Sequence, residues 1–215
     1  PLTSKNILNL AQKAQKFYAR NGASIYITKT KNLKKYILGG KIVGYKMNFD
    51  MISAANARLS GKKRVTPLLN SPFIDELVGR PTYLKAECLQ HSGSFKFRGA
   101  FSAISALASQ EREKGIVAYS SGNHAQGIAM AATMHNIPST VIMPEDAPKI
   151  KIDNTKKLGA EVVLYDRYNE NREVIGENLQ KKFGSVLIKP YDDPNVIAGQ
   201  GTAGLEITEQ AKDLG

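Results

Sequence analysis

The stretch from Gly115 to Met143, G-I-V-A-Y-S-S-G-N-H-A-Q-G-I-A-M-A-A-T-M-H-N-I-P-S-T-V-I-M, decides the fold. Gly115–Tyr119 is apolar and β-prone, Ala125–Met134 carries helix-length apolar content, and Ser139–Met143 is again a short apolar run. Strand, helix and strand in so short a span make a βαβ unit, and its two strands must lie parallel. The alternation continues through helix Pro148–Leu158, strand Glu161–Tyr165, helix Glu170–Phe183, strand Val186–Pro190 and helix Gly199–Leu214. Gly159 and Gly184 stand where helices end in a left-handed residue. The expectation is an α/β fold of open parallel sheets with helices on both faces.

Between the first strand and its helix lies S-S-G-N-H-A-Q-G, Ser120–Gly127. Open α/β sheets bind ligands at such junctions. Ser121, Asn123 and His124 bring a hydroxyl, an amide and a ring beside free helix-start N–H groups, a cradle for an anion such as a carboxylate. Plain helix capping by Ser and Asn is the commoner use of these residues. Capping, however, requires neither two glycines nor a histidine. For His124 alone, a packed structural role and a catalytic one stand level.

Upstream, the pattern gives a helix over Phe49–Leu59, an extended Thr66–Leu69, a short helix over Ser71–Leu77 and a strand over Thr82–Glu87. That strand delivers the chain to S-G-S-F-K-F-R-G-A, Ser92–Ala100, and a helix follows from Gly99 to about Glu113. Lys96 stands between Phe95 and Phe97. Aromatic bulk strips water from an ammonium and lowers its pKa, which is what an amine needs to attack a carbonyl and form a Schiff base. The competing reading is a buried turn whose lysine snorkels to solvent. Further on, A-G-Q-G-T-A-G-L-E, Ala198–Glu206, reads as a glycine-bearing helix opening built for close packing; its glycines do not fit the dinucleotide fingerprint.

Composition narrows the class. Of the 30 basic residues, ten fall in residues 1–46, which hold no Asp or Glu; residues 47–215 carry 20 basic against 19 acidic groups. The net charge of +11 therefore belongs to a tail, and the body offers no basic surplus for nucleic acid. Within the tail, Ser4–Arg20 has a helical pattern, and Ala23–Thr28 and Tyr36–Tyr45 look like short strands. A transit peptide and a nucleic-acid contact are alternative readings of it. The favoured reading is that the tail lies outside the working protein, because Met47 opens a segment of ordinary balance. The single cysteine, Cys88, excludes an internal disulfide and suits a reducing compartment. The apolar stretch Ile128–Met134 is too short to span a bilayer, and the three histidines lack metal-ligand spacing with Cys88.

K-A-E-C-L-Q-H-S-G-S-F-K-F-R-G-A, then S-S-G-N-H-A-Q-G, then P-Y-D-D-P-N-V-I-A-G-Q-G-T-A-G-L-E, in that order, resemble the serine/threonine dehydratase and serine racemase family over roughly residues 50–215. The resemblance implies a pyridoxal 5'-phosphate enzyme of the tryptophan-synthase-β (fold type II) architecture. It implies a larger cofactor domain from residues 47–114 and 193–215 and a smaller mobile domain from 115–192. Lys96 is the implied carrier of the cofactor, with Asn123 hydrogen-bonded to its phenolic oxygen and Phe95 beside it. Ser120, Ser121, Gly122, Asn123, His124 and Arg172 are the implied substrate ligands, with Lys96 and Ser121 catalytic and no metal ligand in this stretch. The racemases carry asparagine where this chain has Tyr191, a departure that leans toward dehydratase.

The glycine run that holds the cofactor's phosphate in that family does not occur before Gly215. The chain is accordingly expected to be the N-terminal part of a longer protein and inactive by itself. The implied function is an ammonia-lyase (dehydratase) of threonine, serine or hydroxyaspartate, acting in the cytoplasm on a small amino acid, with no nucleic-acid or membrane partner, as a homodimer or homotetramer when full length. A serine racemase is the enzymatic alternative, and a nucleic-acid-binding protein acting through residues 1–46 is the non-enzymatic one. Deleting residues 1–46 from the full-length protein should leave cofactor loading and turnover unchanged; a large loss in either assay would make the tail part of the enzyme.

Overall fold

The computed structural model describes residues 47–212, so the helix and strands read within residues 1–46 lie outside the described residues. The helices are α1 (Phe49–Arg58), α2 (Pro72–Val78), α3 (Lys96–Ser105), α4 (Ser109–Glu113), α5 (Asn123–Met134), α6 (Lys149–Lys157), α7 (Arg172–Phe183) and α8 (Pro194–Gln210). The strands are β1 (Leu68–Asn70), β2 (Tyr83–Lys85), β3 (Ile116–Tyr119), β4 (Ser139–Pro144), β5 (Glu161–Tyr165) and β6 (Val186–Ile188). β1 and β2 pair antiparallel, while the others form one parallel sheet in the order β5-β4-β3-β6.

The parallel sheet is covered on both faces, which is why β3 reads as an unbroken apolar run, I-V-A-Y. Side chains alternate between the faces. Ile116, Ala118, Val141 and Met143 join Ala125, Ile128 and Ala129 of α5 in the main core. Val117, Tyr119 and Ile142 point the other way and pack with Tyr165 under Ile175 and Leu179 of α7. α3 lies between α5 and α8, and every residue from Phe97 to Ile104 is buried.

Two expected helices have different bounds. The single helix expected over Gly99–Glu113 is two helices, because Ala108 turns extended and its N–H donates to Glu111 Oε2 at 2.8 Å, opening α4 afresh. The first of the two also begins earlier, so Lys96 is the opening residue of α3. The last helix starts at Pro194 rather than Gly199. Asp193 Oδ1 accepts from the N–H groups of Asn195 and Val196 at 2.8 and 2.9 Å, and proline fills the first turn where its missing donor costs nothing. The glycines that seemed to open this helix therefore lie inside it, where they serve the close packing read for them. A Cβ on Gly199 would run into the Arg98 carbonyl and the Ser102 side chain, and one on Gly99 would sit 2.8 Å from the Val196 carbonyl oxygen.

A buried ion cluster fastens this helix pair. Arg98 is fully buried and donates to both carboxylate oxygens of Glu87 and both of Glu206, each at 2.8 Å. Lys85 Nζ adds an ion pair to Glu206 Oε2 at 2.8 Å and a hydrogen bond to the Thr66 carbonyl at 2.7 Å, and Lys63 pairs with the other Glu206 oxygen. Burial works against every charge in the cluster. For Arg98, the bonds to Glu206 and Glu87 overcome that penalty and raise its pKa; for Glu206, burial is outweighed by Arg98, Lys63 and Lys85, and the carboxyl is held down at about 2.

Because the folded pKa of Glu206 lies below its ordinary value of 4.5, its stabilising contribution is complete above about pH 4.5 and is lost as pH falls through about 2. Glu206→Gln in the full-length protein should destabilise it at neutral pH by roughly 3–5 kcal/mol, the usual result of stranding buried charge. In denaturant titrations at a series of pH values, the gap between the wild type and the variant should narrow as pH drops from 4.5 toward 2. A gap independent of pH would show that the carboxylate charge is not what the cluster uses.

Candidate active site

Strand order reverses beside β3: the chain leaves it for β4 on one side and returns through β6 on the other. The carboxyl ends of β3 and β6 therefore open one crevice, the usual ligand position in an open α/β sheet. Ser120–Gly122 leaves β3 there, and Lys189–Tyr191 leaves β6. Lys96, at the head of α3, donates from Nζ to the Pro190 carbonyl at 3.0 Å, which brings its amine to the same edge. Its Nζ lies 5.3 Å from the centre of the Phe95 ring, and burial lowers its pKa. The two phenylalanines differ in role. Phe97 is fully buried and packs its ring on His91 at 4.8 Å and Phe101 at 5.5 Å, in the core.

The Ser120–Gly127 segment leaves the start of α5 without a side-chain cap. Gly122 is the cap residue of α5, and no side chain caps that helix end. Ser120 Oγ instead accepts from the Gly122 N–H at 3.2 Å, and Ser121 is exposed. A Cβ on Gly122 would meet nothing within 4 Å. The first N–H groups of α5 are therefore unspent on side chains, with the positive end of the helix dipole behind them. The absence of a side-chain cap on α5 sets this segment apart from a plain Ser/Asn capping motif.

Gly127 sets how near the cradle comes to the lysine. A Cβ there would sit 3.1 Å from the Lys96 backbone, so only glycine lets α5 cross the head of α3 so closely. Asn123 opens α5 and accepts from Lys151 Nζ at 2.7 Å through its Oδ1. His124 is buried with neither ring nitrogen hydrogen-bonded among the described residues, and its pKa falls to about 3 through burial and then the nearby Lys96 charge. Burial thus favours the neutral ring, which argues against His124 as a physiological acid.

Arg172 heads α7, with its guanidinium carbon 5.0 Å from the centre of the Tyr119 ring and Nη2 donating to the Tyr191 hydroxyl at 3.2 Å. Tyr119 directly precedes Ser120, so Arg172 and Tyr191 stand at the same sheet edge as the cradle. Lys96, Ser120–His124 and Arg172 are thus all gathered around the carboxyl end of the sheet. Sequence reasoning missed Lys151, Tyr119 and the Pro190 carbonyl. One signal was present for Lys151: the first turn of α6 carries cations and no acid, against the helix dipole. Among the described residues, no group of three or more His, Cys, Asp or Glu side chains converges as a metal site, and no helix is long and apolar enough to cross a membrane.

The chain is similar to known proteins over most of its length. L-threo-3-hydroxyaspartate ammonia-lyase of Saccharomyces cerevisiae is 46% identical over 165 residues, covering 77% of this chain and 50% of that protein. The enzyme of the same name from a Pseudomonas species is 50% identical over 160 residues, covering 74% of this chain and 50% of that one. The solved structure of maize serine racemase superposes with a TM-score of 0.76 at 39% identity, over 79% of this chain and 51% of that one. The chain thus spans about half the length of the relatives it matches. The profile of the pyridoxal-phosphate dependent enzymes matches residues 59–214, and the chain belongs to that family.

Proposed function

We propose that the full-length protein is an ammonia-lyase that converts a β-hydroxy amino acid to a 2-oxo acid and ammonia, with pyridoxal phosphate held by Lys96. One observation carries the reading: a desolvated lysine amine and an uncapped helix N-terminus meet at the switch point of a parallel sheet. The residues present fit the cofactor. Lys96 supplies the amine, Phe95 an aromatic surface beside it, and Asn123 an amide whose Nδ2 is turned away from Lys151. When bound, the cofactor supplies an electrophilic carbon and a ring that delocalises the electron pair left by the departing α-proton.

The chain's own residues do the rest. Ser120–His124 grip the α-carboxylate through backbone N–H groups and the Ser121 hydroxyl. This grip fixes the Cα–H bond relative to Lys96. With its pKa lowered, the free Lys96 amine accepts the α-proton, a general-base step worth ~10²–10⁴-fold. The β-hydroxyl leaves as water, taking up the proton that Lys96 accepted, and the released unsaturated amine takes water back as it loses ammonia. Residues 115–192 act as a small domain closing on residues 47–114 and 193–215 over the crevice. A soluble homodimer or homotetramer in the cytoplasm completes the reading, and the exposed thiol of Cys88 suits that reducing compartment.

Within the substrate class, hydroxyaspartate is favoured over threonine and serine. Both similar lyases described above act on it, and Arg172, with one donor on Tyr191, has others left for a second carboxylate. Arg172→Leu should lower kcat/KM for L-threo-3-hydroxyaspartate by roughly tenfold or more, as expected for a lost charged hydrogen bond, and leave that for L-threonine nearly unchanged. Equal losses for both substrates would remove Arg172 from side-chain recognition.

The racemase alternative separates at Ser121. Elimination needs one base and a leaving hydroxyl, whereas racemisation needs a second acid on the face opposite Lys96. Borohydride should trap the cofactor on Lys96, and Lys96→Ala should abolish turnover. Ser121→Ala should abolish any racemisation and cost dehydration only about tenfold, against ~10²–10⁴-fold for a lost acid or base. A 2-oxo acid assay run beside chiral chromatography decides the matter: D-serine formed faster than pyruvate from L-serine would overturn the lyase reading.

A further inference from the structure

Lys151 occupies a position that its own helix does not explain. It lies in the first turn of α6, where the dipole disfavours cations and where no acidic residue balances it. Burial lowers its pKa, so the ammonium is partly desolvated. Among the described residues no carboxylate comes within ion-pair distance of it. Its recorded side-chain partner is Asn123 Oδ1 at 2.7 Å, a bond that joins α6 to the first residue of α5.

That contact settles which way the Asn123 amide points. An ammonium has three donors and no acceptor, so the amide atom facing it must be the oxygen. The amide orientation is therefore dictated by chemistry, and Nδ2 is presented on the far side as a donor. A cationic partner on the oxygen also polarises the amide and strengthens what Nδ2 donates. The group suited to receive it is an anionic oxygen, as on an ionised phenol.

We propose that Lys151 is a positioning residue for the cofactor: by holding Asn123 Oδ1 it fixes the amide so that Nδ2 donates to the ionised phenolic oxygen. The inference rests on the reading of Asn123 as a cofactor ligand given above. Lys151 acts through Asn123 and touches neither the substrate nor the reacting atoms. Its removal frees the amide to flip, and a flipped amide presents its oxygen to an anion.

The test is a double-variant cycle in the full-length protein, read by cofactor affinity and by the visible absorbance of the bound cofactor. Apoprotein is titrated with pyridoxal phosphate for wild type, Lys151→Met, Asn123→Ala and the double variant. Lys151→Met should weaken cofactor binding roughly ten- to a hundredfold, the scale of one charge-assisted hydrogen bond, and shift the absorbance band. Lys151→Arg should restore both. The double variant should be no worse than Asn123→Ala alone, because the lysine has then lost the group it positions. Thermal unfolding of the apoproteins supplies the control, since a merely structural lysine would lower stability without moving the absorbance.

Additive losses in the double variant, or wild-type affinity and absorbance in Lys151→Met, overturn the proposal while leaving Asn123 a cofactor ligand. Wild-type affinity and absorbance in Asn123→Ala overturn the reading of Asn123, and the role of Lys151 with it. In that case borohydride trapping on Lys96 still reports whether the cofactor site itself stands.

Discussion

Arg98 is a full positive charge with no exposed surface, and the described fold is arranged to make that tolerable. A guanidinium removed from water loses several kcal/mol unless carboxylates replace its hydration in the right geometry. Glu87 reaches it from the turn after β2, and Glu206 comes from α8, 108 residues later in the chain. Three cations, Lys63, Lys85 and Arg98, meet two carboxylates, so the cluster is not neutral, and Gln210 takes up one further Lys85 donor. The cluster therefore prescribes where α8 lies on α3, and through α3 it prescribes where Lys96 stands, two residues away.

Helix spacing completes that prescription. α3 is crossed by α8 where Gly99 meets Gly199, and by α5 where Gly127 meets the Lys96 backbone. Each crossing removes the side chain that would hold the helices apart. The result is a lysine whose backbone is packed against α5 while its amine reaches the crevice. Such rigidity suits a group that must meet a cofactor carbon and an α-proton within a few tenths of an ångström.

Much of this architecture is legible in the sequence because it depends on local periodicity. β3, β4, β5 and β6 appear at or near their expected positions, and β3 and β4, buried on both faces, advertise themselves as short apolar runs. The lysine motif and the Ser120–Gly127 cradle are legible for a related reason: they place costly or unusual residues in small windows. Boundaries set by a single side-chain bond fare worse, as at Ala108, where Glu111 restarts a helix, and at Asp193, whose cap begins α8 five residues early. Contacts between distant positions were not legible at all. Nothing near Lys151 names Asn123, and nothing near Arg98 names Glu206, because each pairing exists only after the chain has folded.

The separation of Arg98 from Glu206 also has a consequence for how the chain is made. At a synthesis rate of ~5–20 residues per second, the 108 residues between them take roughly 5–20 s to emerge. During that interval α3, apolar along most of its length, has its α5 partner but neither α8 nor half of its counter-charge. The nascent chain must therefore wait with an uncovered helix and an unmatched guanidinium, a state that invites association with other chains. The order in which this sequence supplies its charges thus sets how long that vulnerable state lasts.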